Sequence, residues 1–157
     1  MPGDLRSKER AIVTLTTTGA SLTSGSAGAA SVDFDARSTG NFPDDFQAQF
    51  ELVAQWATAP SFPANSVAAE LYLVPILDGT NLPDVDLTAG TSVLPFSAYV
   101  GAFVFVKVAT AATNMRFISP TVNFNPMLHR PYIIGRAGQT ITANWSLKAV
   151  SVQAQYT

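Results

Sequence analysis

The chain reads as all-β: a jelly-roll β-sandwich of about eight antiparallel strands preceded by an extended N-terminal arm. Three observations predict this. Apolar and polar residues alternate with a period of two in several segments, most cleanly from Phe46 to Trp56. Gly, Pro, Asn and Asp clusters punctuate the chain between those segments. No segment carries convincing helical periodicity, and no internal repeat is visible. An immunoglobulin-like sandwich is the other architecture this spacing allows, and spacing alone does not order the strands.

Residues 1–10, MPGDLRSKER, are the most charged stretch, with Arg6, Lys8 and Arg10 set against Asp4 and Glu9. They show no strand pattern, so the domains divide as an arm at 1–10 and one β-sandwich at 11–157. The arm either frays or orders across a neighbouring subunit, where Arg6, Lys8 and Arg10 would make charge-assisted contacts.

Ala11 to Thr18 suits a first strand, with Ala11, Val13 and Leu15 on one face. Gly19 to Ala30, rich in Ser, Gly and Ala, reads as a loop or irregular edge. Val32, Phe34 and Ala36 alternate with Asp33, Asp35 and Arg37 in a second strand. From Phe46 to Trp56, Phe46, Ala48, Phe50, Leu52, Ala54 and Trp56 point one way, and mostly Gln and Glu point the other. Pro60 and Pro63 then break the chain.

Leu71-Tyr72-Leu73-Val74 is apolar on both faces and suits a strand covered on both sides. Pro75, lacking a backbone donor, belongs at its end. Asp78-Gly79-Thr80-Asn81 follows as a turn. Tyr99 to Ala109 predicts another strand. Its Val-rich face carries Val104, Val106 and Val108; the other carries Phe103, Phe105 and Lys107, an apolar surface suited to a subunit or partner interface. Short strand pieces follow at Met115–Ile118, Val122–Phe124 and Tyr132–Ile134. Thr140 to Tyr156 is the last strand. Its apolar residues change from odd to even positions near Ala149, which predicts a bulge or a crossing between sheets.

Composition bounds function. The 157 residues suffice for one domain with a real core. Hydrophobic residues make up 47% but charged residues only 13%, about half the usual share of roughly 25%. So charge-poor a surface points to burial against other chains, and to a homo-oligomer, with a trimer favoured. A net charge of −2 gives no electrostatic footprint for nucleic acid. Cysteine is absent, which excludes disulfides and thiolate metal sites. No apolar run approaches the roughly 18 residues of a membrane span, and no signal peptide is evident, so the expectation is a soluble protein made in a cytoplasm.

The chemistry-bearing residues do not gather. His129 is the single histidine, and the sequence places no partner beside it. Asp78, Asn81, Asp84 and Asp86 hold oxygen atoms suited to calcium, yet their spacing is not that of an EF-hand and turns require the same residues. Trp56 and Trp145 stand in phase with apolar neighbours, which favours core packing over sugar stacking. No catalytic, cofactor-binding or metal site is therefore expected.

Residues 70–157 resemble a family of tailed-phage virion proteins. The matching pieces are ELYLVPILDGTNLPD at 70–84, YVGAFVFVKVAT at 99–110, and AGQTITANWSLKAVSVQAQYT from Ala137. The family's turn is N-x-AGQ; here it reads Gly135-Arg136-Ala137-Gly138-Gln139, so the usual Asn is absent. The sequence departs again at Phe124 to Arg130, where a Pro-rich stretch would stand. The resemblance implies a small β-sandwich of the virion, of capsid decoration or cement type. It also implies a major capsid protein as partner and a place on the capsid's outer surface after assembly in the host cytoplasm. A fibre or receptor-binding module for host-surface glycans is the alternative, and a jelly-roll hydrolase the third possibility.

Overall fold

A computed structural model describes residues 5–9, 11–37, 39–43, 45–60, 65–78, 80–106 and 113–156, with backbone alone at 5–9 and 152–156. Among the described residues eleven strands run in order: β1 Leu5–Glu9, β2 Val13–Gly19, β3 Ala27–Ala29, β4 Phe34–Asp35, β5 Gln47–Ala54, β6 Val67–Pro75, β7 Tyr99–Val104, β8 Met115–Ile118, β9 Val122–Asn123, β10 Leu128–Gly135 and β11 Trp145–Tyr156. One 3₁₀ turn, Phe96–Ala98, leads into β7.

The pairing is nested. β2 pairs β11, β3 and β4 pair β10, β5 pairs β8 and β9, and β6 pairs β7, all antiparallel. The chain is thus one long hairpin ribbon folded over on itself. Rolling the ribbon brings β11 beside β5 and β10 beside β6. Two sheets result, one ordered β1-β11-β5-β8 with β2 also on β11, the other β3-β10-β6-β7. That arrangement is a jelly roll.

Alternation decides which face each strand buries. Along β5, Ala48, Phe50, Leu52 and Ala54 point into the core while the intervening residues stay half-covered. Phe34, Phe42, Phe50 and Phe124 meet in the same core, with Phe34 stacked on Phe42 at 4.1 Å. Trp56 sits there against Phe105 and Phe117. Trp145 is also core, and its Nε1 donates to the Ala20 carbonyl at 2.8 Å.

The strand at Leu71–Val74 is covered on both sides, as its pattern predicts. Leu71 and Leu73 enter the main core. Val74 faces the other way into a second, smaller core with Leu94, Ala98, Tyr132 and Ile134. The cover is the connection between β6 and β7, which lays Leu82, Val85 and Leu94 over the outer face of the second sheet. β6 ends at Pro75.

Three expectations need correction. Phe103 and Phe105 are core residues, 0% and 1% exposed, so they offer no partner surface. The alternation along β7 is as expected but its faces are reversed: Val104 and Val106 point outward. Aromatic rings bury more apolar area than Val, so the Phe face wins the interior. Lys107 and Val108 lie outside the described residues, as do Arg10, Pro63 and Gly79. Second, residues 5–9 do not stand apart as an arm. They form β1 and pair with Val152–Tyr156 of the chain's own β11, which places Arg6 opposite Gln155 and Lys8 opposite Gln153. Third, the change of inward face expected near Ala149 does not occur; of the bulge or crossing expected there, the structure has an irregularity beside it and no crossing. The register of β11 with β5 is unbroken from Ser146 to Val152, and the irregularity lies on the β2 side between Trp145 and Lys148. Odd positions stay inward through Ser151, whose buried hydroxyl donates to the Asp45 carboxylate. A polar inward position was invisible to a pattern based on apolar residues. The stretch between Gly19 and Ala30, expected as a loop or an irregular edge, holds β3, a short strand of small residues at the edge of the second sheet, paired to β10.

Candidate functional site

Two neighbouring features at one end of the sandwich stand out. The first is the β6–β7 connection. It carries Leu77, Val93 and Phe96, whose side chains are strongly exposed, Leu77 at 82% and Phe96 at 90%. Its local geometry is fixed by its own carboxylates. Asp78 accepts from the backbone N–H of Thr80 and of Asn81 at 2.8 and 2.6 Å, and from the Asn81 side-chain amide. Asp86 accepts from the N–H and hydroxyl of Thr88 at 2.9 and 2.6 Å. These bonds hold both carboxyls below their ordinary range. Both carboxylates thus serve their own turns, and among the described residues no group of three or more His, Asp or Glu is placed to hold a metal ion.

The connection is fastened at its far end. Asp86 and Val93 exchange backbone hydrogen bonds of 3.0 and 2.7 Å. Ser92 N–H donates to the Gly25 carbonyl at 2.9 Å, Gly90 N–H donates to Ser26 Oγ at 2.8 Å, and Ala27 N–H donates to Ser92 Oγ at 2.9 Å. The exposed apolar side chains therefore ride on a fixed strap.

The second feature is a groove of about 440 Å³ at the mouth of the sandwich, beside the strap. Leu73, Pro75, Leu77, Val100, Phe124 and Met127 supply apolar walls. Ser97, Asn123, Asn125 and His129 supply polar atoms. His129 lies opposite Pro75 in the β10–β6 ladder and is 5% exposed, near the rings of Phe34 and Phe124. Its Nδ1 is buried with no hydrogen-bond partner. An orphan of that kind costs about 1–3 kcal/mol. Burial pushes the imidazole pKa below its usual 6.5, opposed by a hydrogen bond with the Met127 backbone and by the charge of Asp35. The groove is thus uncharged, and its one titratable lining group is held neutral.

Trp56 and Trp145 pack in the core, as their phase with apolar neighbours predicts. The sequence reading did not foresee the groove. Ser97 comes from the 3₁₀ turn before β7, and Asn123 and Asn125 from β9 and the residues just after it, two segments that only the folded sheets bring together.

A second apolar spot lies on the outer face of the first sheet, where Ile12, Ile118 and Val150 line a shallow hollow with Glu51 and Lys148. Ion pairs elsewhere tie elements together: Arg130 forks onto Asp33 at 2.7 and 3.0 Å, and Arg136 onto Glu70 at 2.7 Å.

No family model matches the chain, and no curated protein matches it. Among solved structures, the CBM36-1 domain of a multidomain xylanase from the hindgut metagenome of Trinervitermes trinervoides aligns with a TM-score of 0.46 at 12% identity, over 90% of this chain and 96% of that one. A likeness at that level leaves the functional assignment to the chain's own residues.

Proposed function

We propose that this chain is a non-catalytic structural protein of a phage virion, which docks on the outside of the capsid shell and stabilises it. The observation that carries the reading is the set of exposed apolar side chains, Leu77, Val93 and Phe96, on a strap whose backbone is fixed. A fixed apolar display loses little entropy on docking. It sits on a protein in which only 13% of residues are charged, so little opposes close contact with a neighbour. The resemblance of residues 70–157 to tailed-phage virion proteins supports the same reading. The partner is the major capsid protein, and the protein acts as a homo-oligomer, with a trimer favoured.

The test is sedimentation of purified protein with empty shells of the encoding phage, followed by imaging of the shells. Added density at regular lattice positions is expected, and shells that remain bare after saturation would refute the assignment.

A second reading, recognition of host-surface glycans, draws support from the groove, where Asn123, Asn125 and Ser97 offer amide and hydroxyl groups. Glycan-array binding that disappears with Asn123→Ala would favour it over shell docking.

A further inference from the structure

We propose that the ribbon of β1 and residues 153–156 of β11 joins copies of this chain, the outer edge of β1 in one copy pairing with the open edge of β11 in the next, so that three copies close a ring of six strands; this rests on the homo-oligomer reading above and supplies its contact. The ladder registers show where the body of the first sheet stops. β5 follows β11 from Ser146 to Val152 and begins at Gln47, opposite Val152. β1 follows β11 from Val152 to Tyr156. Residues 153–156 therefore have a strand on one side and, among the described residues, none on the other. β1 is itself last in the sheet. Beyond Val152 the sheet is thus two strands wide with both edges open. A ribbon of two strands is marginal by itself and gains from further strands.

Charge selects the partner, because the two edges differ. β1 reads Leu-Arg-Ser-Lys-Glu, and charged residues of this kind guard a strand edge against pairing with its like. Residues 153–156 read Gln-Ala-Gln-Tyr, with no charge and no Pro to block an added strand. The two-fold pairing that engages all of β1 centres on Ser7 and sets Arg6 of one copy against Lys8 of the other. Like charges directly opposite destabilise a ladder. Two-fold pairing of β11 with β11 avoids charge but leaves both β1 edges bare. Pairing β1 with the next copy's β11 covers both kinds of edge. It also keeps every charged strand between uncharged ones, as the chain's own ladder does by setting Arg6 opposite Gln155 and Lys8 opposite Gln153. β1 runs antiparallel to β11 within the chain, so about a rotation axis along the ribbon each new pair is antiparallel too. The contact is head-to-tail and closes as a ring. Three copies, the number already favoured, give six strands, and the closed ring leaves no edge for an unrelated strand.

The chain has no cysteine of its own, so introduced thiols report the contact. Ser7→Cys on one chain is co-expressed with Gln153→Cys, Ala154→Cys or Gln155→Cys on another, and the mixture is oxidised. A disulfide needs Cα atoms within about 7 Å, which neighbouring strands meet and strands two apart, about 10 Å, do not. Ser7→Cys should link to at least one of the three, no variant alone should form linked chains, and the wild type should sediment as three chains. Deleting residues 2–9 should raise the concentration of half-dissociation at least ten-fold in a chain that circular dichroism shows to be folded, and the thiol test stands if that deletion does not fold. Ser7→Cys chains linked to one another, or Ala154→Cys chains likewise, would show two-fold pairing and overturn the ring. With both thiols on one chain, Ser7→Cys/Ala154→Cys should close within it, because these positions are opposite in its own ladder. Links between chains alone would mean that β1 is exchanged between copies, and would overturn the added pairing. An oligomer that survives the deletion undiminished and gives no mixed links would overturn the ribbon contact and leave the homo-oligomer reading intact. A wild type that sediments as a single chain at micromolar concentration would remove that reading, and the ribbon contact with it.

Discussion

The carbonyl oxygen of Gly90 lies 2.1 Å from the point that a Cβ on Gly25 would occupy. This contact sets how closely the β6–β7 strap approaches the turn before β3. Both glycines have positive φ, +83° and +81°, but nothing stands within 4 Å of a Cβ built on Gly90. The two positions therefore separate backbone strain from steric exclusion. Gly90→Ala should cost about 1 kcal/mol, the ordinary penalty for a left-handed residue. Gly25→Ala adds a clash with backbone and should cost roughly 2–3 kcal/mol. Thermal melts of the two variants provide the comparison, and equal losses would show that the strap yields freely.

Gly19 stands opposite Trp145 in the β2–β11 ladder, and a Cβ there would lie 1.9 Å from the indole Cε2. Gly19→Ala should push the indole outward and break its bond to the Ala20 carbonyl. A stability loss of about 1–3 kcal/mol is expected, with red-shifted tryptophan emission. An unchanged spectrum would mean that the ring has another place to pack.

His129 makes stability depend on pH in a defined direction. Its folded pKa lies below the usual 6.5 because burial disfavours the cation. As pH falls below about 6.5 the unfolded chain takes up the proton first, so the unfolded state gains and stability declines. The decline continues until pH passes the folded pKa. His129→Gln should flatten that slope below about pH 6.5. A melting-temperature profile parallel to wild type across this window would contradict the burial of a neutral imidazole.

The Arg130–Asp33 pair is two-pronged yet partly exposed, with side-chain accessibilities of 35% and 27%. Solvent screening limits its coupling to about 1 kcal/mol or less. A double-mutant cycle with Asp33→Asn and Arg130→Gln measures it. A coupling of several kcal/mol would require far deeper burial than the fold gives.

β1 pairs with residues 152–156 of β11, while β5 reaches only as far as Val152. Residues 153–156 of β11 therefore depend on β1 for their pairing. Deleting residues 2–9 should raise amide exchange at 153–156 and leave 146–152 protected. Because the affected ladder lies at the sheet's margin, the melting temperature should fall only slightly. Loss of protection along all of β11 would show that β1 supports the sheet as a whole.

Much of the fold is written in the order of side chains. The alternation from Ala48 to Ala54 specifies a strand and its inward face, because successive residues on a strand point to opposite sides. The two-sided apolar run at Leu71–Val74 likewise demanded cover on both faces, and the second core supplies it. Local chemistry also settled Asp78 and Asp86, whose carboxylates bond the residues just after them.

Other features depend on what faces each residue across the sandwich. The alternation at Phe103 and Phe105 was plain, but only packing against Trp56 and Phe117 decided that this face is inside. Ser151 is buried although polar because Asp45, distant in sequence, accepts its hydroxyl. β1 reads as charged and irregular, yet the free edge at the end of β11 gives its backbone a partner. The groove is the clearest case. Ser97, Val100, Asn123 and His129 come from different strands and connections, and they meet only where two sheet margins converge. A one-dimensional pattern records each residue's own preference for water or core; which residues share a site is set by strand pairing across the fold, and that no local pattern contains.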